Sequence, residues 1–259
     1  MSGIKGYVLD CGRLNGPKSA IIADAGPDEM MTIPIYSVLL KHPGGNVLFD
    51  AGIHRDEKRQ APFIFNSAIV KDEDNVVKRL AAVGLSPEDI NYIVLSHMHA
   101  DHSGYIEKFP NAEICISERE FTYAIKDYAL GINPDSADIE YWIGCRLKWK
   151  LIPDAEQEFE LLPGVTILNF GPGHSFGMLG LLISFEKAGK VVLTADACYM
   201  RQHLEPPRAV SGIVHNADGY NGTLDRIAQL AETYNADVWF GHDLEQFNSL
   251  TKSTEGFYE

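Results

Sequence analysis

The sequence predicts an α/β protein in which mixed sheets lie between helices. Two observations predict this class. Short β-rich segments joined by glycine-containing turns dominate the chain, and helical patterns alternate with them. In addition, each half of the chain closes with a helix followed by a strand, which is typical of mixed sheets whose faces are covered by helices.

The predicted strands are short runs of β-branched, aromatic and other apolar residues. In chain order they are Tyr7–Leu9, Ile33–Leu40, Asn46–Phe49, Tyr92–Leu95, Glu113–Ile116, Glu158–Leu161, Val165–Phe170, Leu179–Phe185, Lys190–Thr194 and Asp237–Phe240. Turns such as Pro43-Gly44-Gly45 and Ala188-Gly189 connect several of them and predict hairpins.

Apolar residues at helical spacing and capping patterns predict four helical segments. In chain order they are Asp74–Val83, Ser86–Asp89, Ser117–Ala129 and Thr223–Tyr234. No Gly/Ser linker, low-complexity tract or internal repeat divides the sequence. We therefore expect a single domain over residues 1–259.

Composition and charge exclude several classes of protein. Of the 259 residues, 45% are apolar and 22% are charged, which is enough for a buried core. The 22 basic and 36 acidic residues give a net charge of −14, so we expect no nucleic-acid partner, because such binding needs clustered Lys and Arg. The four cysteines are far apart without a C-x-x-C pair, which predicts free thiols.

The sequence shows neither a signal-peptide pattern nor a membrane-spanning stretch. The first ten residues lack the apolar core of a signal peptide, and no stretch reaches the ~18 apolar residues that cross a bilayer. We therefore expect a cytoplasmic protein with no membrane partner. The oligomeric state stays open, a homodimer included.

Three of the nine histidines lie within six residues. His97, His99 and His102, together with Asp101, follow the predicted strand Tyr92–Leu95. His97 and His99 alternate in an extended segment, so both point the same way and can reach one metal ion, while Asp101 and His102 would belong to a second. Burying these groups without a metal would be costly, whereas imidazole and carboxylate are ordinary zinc ligands. The alternative is a solvated, His-rich turn.

The pattern H-x-H-x-D-H-x-G over residues 97–104 resembles the signature of the metallo-β-lactamase superfamily. Three later segments resemble the remaining ligand positions of that family, in the same order: Gly171–His174, Thr194–Asp196 and Gly241–Asp243. The resemblance covers nearly the whole chain. It implies an αβ/βα four-layer sandwich, two mixed sheets flanked by helices, with a two-metal site at one edge.

The same resemblance implies a ligand set for two divalent metal ions, with zinc as the favoured metal. The first ion would be held by His97, His99 and His174. The second would be held by Asp101, His102 and His242, with Asp196 as the bridge. A two-metal site of this kind activates water and polarises a carbonyl, which is the chemistry of hydrolysis.

A tyrosine three residues after Asp196 narrows the resemblance. Tyr199 is similar to the tyrosine of the N-acyl homoserine lactone lactonases, whose phenol lies beside the substrate carbonyl; the alternative for Tyr199 is packing under the next loop. The motif Gly241–Gln246 also resembles that branch. The implied function is a quorum-quenching lactonase in which Asp101 carries a proton to the leaving alkoxide. One departure is that Met178 and Leu179 stand where the family commonly has a polar residue.

Other functions stay open at this stage. They include hydrolysis of another lactone, of the γ-butyrolactone or pyridoxolactone type. A thioesterase of the same superfamily would normally need an added C-terminal helical region, and only 17 residues follow His242. A diiron flavoprotein oxidase of related fold would need more acidic ligands and a flavin domain.

Several other residues have a functional and a structural interpretation. The apolar segment 63–69 and the aromatic residues that follow the signature would line an acyl channel or form a satellite core. Cys198 is an auxiliary soft ligand or a packing residue. Asp243 could orient His242, while His203 and His215 could border the pocket.

Overall fold

The computed structural model describes residues 3–56, 59, 67–132 and 139–259. Within these residues the strands are β1 Lys5–Pro17, β2 Met30–Lys41, β3 Asn46–Phe49, β4 Ser67–Ile69, β5 Ile90–Val94, β6 Glu113–Ser117, β7 Lys148–Ile152, β8 Glu158–Leu162, β9 Val165–Gly171, β10 Met178–Ser184, β11 Lys190–Ala195 and β12 Ala236–Phe240. The α-helices are α1 Val76–Ala82, α2 Ala100–Ser103, α3 Glu118–Leu130, α4 Ile139–Trp142, α5 Arg201–Leu204, α6 Ala217–Tyr234 and α7 Leu244–Ser249.

The strands form two mixed sheets. The first has the order β4-β1-β2-β3-β5-β6-β7, and the second has the order β12-β11-β10-β9-β8. The first sheet is antiparallel from β4 to β3 and parallel from β3 to β7. In the second sheet only β11 and β12 are parallel.

The buried apolar residues place the two sheets face to face. Val38 and Val94 of the first sheet share one cluster with Ile167 and Leu181 of the second. The neighbouring residue Leu39 belongs to another cluster, because successive side chains of a strand point to opposite faces. On the outer faces α1 contacts β1, α3 contacts β6 and β7, and α6 contacts β9, β11 and β12. The predicted αβ/βα four-layer sandwich is confirmed.

Two elements, β1 and α6, exceed their predicted length by the most. Strand β1 covers Lys5–Pro17 instead of Tyr7–Leu9, and it pairs with β2 along its whole length despite a bulge at Asp10/Gly12. Helix α6 begins at Ala217, six residues before the predicted start. Asn216 caps it, its side chain accepting from the backbone N–H of Gly219. Glycines and polar residues lower the local propensity in both places, so tertiary pairing and capping decide the structure.

The carboxyl ends of four strands meet at one edge of the sandwich. The segments that leave β5, β9, β11 and β12 there carry the sequence-predicted ligands, as expected for a site in an α/β protein.

In the part of the chain that the structure describes, no helix combines the length and the apolar character that crossing a bilayer requires.

Candidate metal centre

The first ligand group is made of three imidazoles and one carboxylate. His97 and His99 lie between β5 and α2, His174 follows β9, and Asp196 follows β11. The Nε2 atom of His174 lies 3.1 Å from Nε2 of His97 and 2.9 Å from Nδ1 of His99. It also lies 3.3 Å from Oδ2 of Asp196. These atoms converge on one point, as the alternation of His97 and His99 predicts.

The second ligand group lies beside the first. Asp101 and His102 are on α2, and His242 follows β12. The Oδ2 atom of Asp101 is 3.5 Å from Nε2 of His102 and 3.6 Å from Nε2 of His242. The Oδ1 atom of Asp196 is 3.0 Å from Nε2 of His242 and 3.3 Å from Nε2 of His102. Asp196 therefore offers one oxygen to each group.

Backbone geometry fixes the position of Asp196. Ala195, the last residue of β11, has a φ of +44°, a left-handed conformation that is uncommon for a residue with a side chain. Gly241 approaches this turn so closely that a Cβ atom there would be 2.5 Å from the carbonyl oxygen of Ala195 and 2.9 Å from Oδ1 of Asp196. The glycine before His242 is thus required for the ends of β11 and β12 to meet.

The charges in the cluster suit a cation. Burial lowers the pKa of His97 well below its ordinary value and lowers the pKa of His174 to about 3, so both imidazoles are neutral. Burial also acts on Asp196, but the imidazoles of His242 and His102 outweigh it and hold the pKa of this carboxyl well below its ordinary value. The nearby carboxylates in turn outweigh burial and raise the pKa of His102 and of His242, so these two imidazoles would release a proton on binding a metal. Neutral imidazole and ionised carboxylate are the forms that bind metals.

Two buried polar atoms without a partner also indicate that the cluster suits a metal ion. Among the described residues, Nε2 of His102 and Oδ1 of Asp196 have no hydrogen-bond partner, although each is shielded from solvent. A buried polar atom without a partner costs roughly 1–3 kcal/mol. Both atoms belong to the converging cluster, where a metal ion would satisfy them. The residues present therefore fit a metal site with nitrogen and oxygen ligands.

Partners on the outer nitrogens orient the second group, and the sequence did not assign them. Oδ2 of Asp50 lies 2.8 Å from Nδ1 of His102, and the same carboxylate accepts hydrogen bonds from the backbone N–H and the hydroxyl of Ser96. Nδ1 of His242 lies 2.9 Å from the carbonyl oxygen of Pro34. Such contacts fix the tautomer of a ligand. The signal for Asp50 was its place directly after a predicted strand.

Tyr199 lies at the back of the first group. Its side chain is 1% exposed, and its hydroxyl is 2.5 Å from Nδ1 of His174 and 3.1 Å from the carbonyl oxygen of Ile213. Nδ1 of His174 is itself 3.2 Å from that carbonyl. Burial and the nearby Asp196 carboxylate raise the pKa of the phenol well above its ordinary value, so it keeps its proton. In this structure the phenol therefore contacts the outer nitrogen of a ligand.

The remaining sequence candidates lie outside the cluster. Asp243 does not orient His242: it caps α7 by accepting from the backbone N–H of Gln246, since it is the residue before that helix. The thiol of Cys198 is buried and faces the carbonyl oxygen of Met200, and His203 is buried against Ile21. His215 is exposed.

The structure describes only part of the apolar segment 63–69. Its residues 63–66 lie outside the described residues, and 67–69 form β4.

Two mixed sheets between helices, with a His/Asp cluster that could hold metal ions at the ends of their strands, define a protein of the metallo-β-lactamase fold. A family model, that of the metallo-β-lactamase superfamily, matches residues 31–242. The chain belongs to this superfamily.

Similar proteins within the superfamily include N-acyl homoserine lactonases. N-acyl homoserine lactonase AiiB of Agrobacterium fabrum is 38% identical, with 99% of this chain and 100% of that protein covered. An N-acyl homoserine lactonase of Bacillus cereus is 31% identical, with 93% of each chain covered. Among solved structures, a Bacillus thuringiensis AiiA mutant with N-decanoyl-L-homoserine bound at its active site has a TM-score of 0.86 at 27% identity, with 100% of both chains covered.

Proposed function

We propose that this protein is a metal-dependent lactonase that opens the ester ring of N-acyl homoserine lactones, a quorum-quenching reaction. The observation that carries the proposal is the pair of ligand groups that share Asp196, in a chain 38% identical over its length to a named N-acyl homoserine lactonase. We further propose that residues 1–259 form one domain, because both sheets contribute ligands to the same cluster.

The proposed cofactor is a pair of divalent cations, with zinc as the metal. His97, His99 and His174 would hold one, Asp101, His102 and His242 would hold the other, and Asp196 would contact both. When bound, two such ions polarise a carbonyl and lower the pKa of water to near neutrality. The all-nitrogen-and-oxygen ligand set, rich in imidazole, favours zinc over magnesium or calcium.

The reaction adds water across the acyl–oxygen bond of the ring. The carbonyl carbon gains an oxygen, the ring C–O bond breaks, and the leaving alkoxide needs a proton to become the hydroxyl of homoserine. We assign that proton transfer to Asp101. Its side chain is 15% exposed while Asp196 is 5% exposed, so Asp101 is the cluster carboxylate that more readily reaches a substrate.

We assign Tyr199 to the carbonyl side of the reaction. A neutral phenol donates a hydrogen bond, and charge develops on the carbonyl oxygen as the ring opens. The raised pKa keeps the phenol protonated over the working range of pH. In the structure the hydroxyl rests against His174 and Ile213, so the proposal requires it to turn toward a bound lactone.

Chain-length dependence tests the substrate class. The sequence favours an acyl channel because residues 63–69 are unusually apolar, although most of them lie outside the described residues. Each buried CH₂ contributes up to ~0.8 kcal/mol, so kcat/KM should rise severalfold for every two carbons until the channel is full. The measurement is a kcat/KM series from butanoyl to dodecanoyl homoserine lactone, with unsubstituted γ-butyrolactone and a pyridoxolactone beside it. A flat series, or a preference for a bare lactone, would contradict the assigned substrate.

A further inference from the structure

Glu120 is a buried carboxylate that joins two of the ligand-bearing segments. It lies in the first turn of α3 and is 1% exposed. Oε1 accepts from the backbone N–H of Met98 at 2.9 Å, and Oε2 accepts from the backbone N–H of Gly177 at 3.0 Å. The hydroxyl of Ser175 lies 2.9 Å from the first oxygen and 2.8 Å from the second.

The donors to Glu120 are close in sequence to the three histidines of the first ligand group. Met98 lies between the ligands His97 and His99, and Ser175 follows the ligand His174. These ligands stand on different sheets, because the first two follow β5 and the third follows β9. Glu120 thus holds the backbone between His97 and His99, and it holds the segment after His174 through the hydroxyl of Ser175 and the backbone N–H of Gly177.

The segment that follows His174 approaches the start of α3 unusually closely. A Cβ atom on Gly177 would lie 2.3 Å from Oγ of Ser117, the residue that caps α3. Only glycine lets this segment reach Glu120, so the contact depends on a specific residue at each end. The second ligand group has other supports, namely Asp50 behind His102 and Pro34 behind His242.

We propose that Glu120 is a positioning residue for the first metal: it sets the relative placement of His97, His99 and His174 and so the affinity of that site. The inference rests on the proposed metal centre, and it does not depend on which substrate is hydrolysed. The family resemblance and the ligand motifs do not assign this residue a role.

The test is the variant Glu120→Gln. The amide has the size of the carboxylate, but its NH₂ group must face either Met98 N–H or Gly177 N–H, so one donor always meets another donor. We expect the affinity of the first site for zinc to fall by roughly 10–100-fold, the usual effect of losing a partner outside the ligand shell. Competition with a chromophoric chelator gives the two stepwise zinc affinities, and that of the second site should stay within a factor of two or three of wild type.

Glu118→Gln is the matched control. Glu118 lies in the same turn of α3 and undergoes the same change of charge, but it is exposed, so both zinc affinities should stay at the wild-type value. The visible spectrum of the cobalt-substituted protein gives a second readout, which should change for Glu120→Gln only. If Glu120→Gln does not fold, Ser175→Ala removes a single donor and should produce a smaller loss in the same site.

The outcomes separate the inference from the proposed function. A lowered melting temperature with both zinc affinities and the cobalt spectrum unchanged would make Glu120 a structural residue only and overturn the inference. Equal weakening of both sites would also overturn it. Selective weakening of the first site in a protein that hydrolyses no lactone would leave the inference standing and would contradict only the proposed function.

Discussion

Replacing Asp196 with alanine should lower the turnover number for lactone hydrolysis by about 10³-fold or more, since catalytic metals stabilise the transition state by several kcal/mol. The carboxylate places one oxygen near His174 and the other near His102 and His242. Its removal leaves a set of buried imidazoles with less negative charge among them, which opposes cation binding. Steady-state kinetics and elemental analysis of the same preparation should therefore show activity and metal content falling together.

Asp237→Ala is the control for that experiment. Asp237 lies on β12, five residues before His242, and its side chain is exposed. Its removal changes the net charge by the same amount without touching the cluster, so activity and metal content should stay at the wild-type values. An Asp196→Ala protein with full activity would show that the shared carboxylate is dispensable.

Tyr199→Phe should lower the turnover number by roughly 10–10³-fold, the upper end being the loss of one donor to a developing oxyanion. Metal content should stay the same, because the carbonyl oxygen of Ile213 remains 3.2 Å from Nδ1 of His174 and can still orient that ligand. The measurement is kcat and zinc content for the wild type and the variant.

Two results would contradict the role assigned to Tyr199. An unchanged kcat would leave the phenol as a packing residue, as its 1% exposure allows. A fall in zinc content that accounts for the whole loss of activity would make Tyr199 a support of His174.

Local patterns predicted the α/β class and the His-rich segment after β5, and the family resemblance implied the four-layer sandwich. Alternating and continuous apolar runs mark strands, and the spacing of His97, His99, Asp101 and His102 concentrates four ligand groups in one short segment. The other three residues, His174, Asp196 and His242, were implied by the resemblance to the metallo-β-lactamase superfamily. The structure brings all seven together.

The partners of the ligands were harder to predict. Glu120 meets residues 22 and 55 positions away, and His242 meets Pro34 at a separation of 208 residues. Such contacts depend on how the two sheets pack, and no periodicity in a single sequence encodes that. The role of Asp243 was wrongly predicted for a similar reason. Its position next to His242 suggested that it orients this histidine, but its side chain caps the start of α7.

The proposed lactonase activity depends on two metal ions bound at this cluster. The most direct test is to strip the metal with a chelator and titrate zinc back while following proton release from N-decanoyl homoserine lactone, since ring opening at neutral pH yields a carboxylate and one proton. We expect activity to rise until two equivalents of zinc per chain are bound and to stay constant beyond that point. Full activity at one equivalent, or no ring opening at two, would contradict the account.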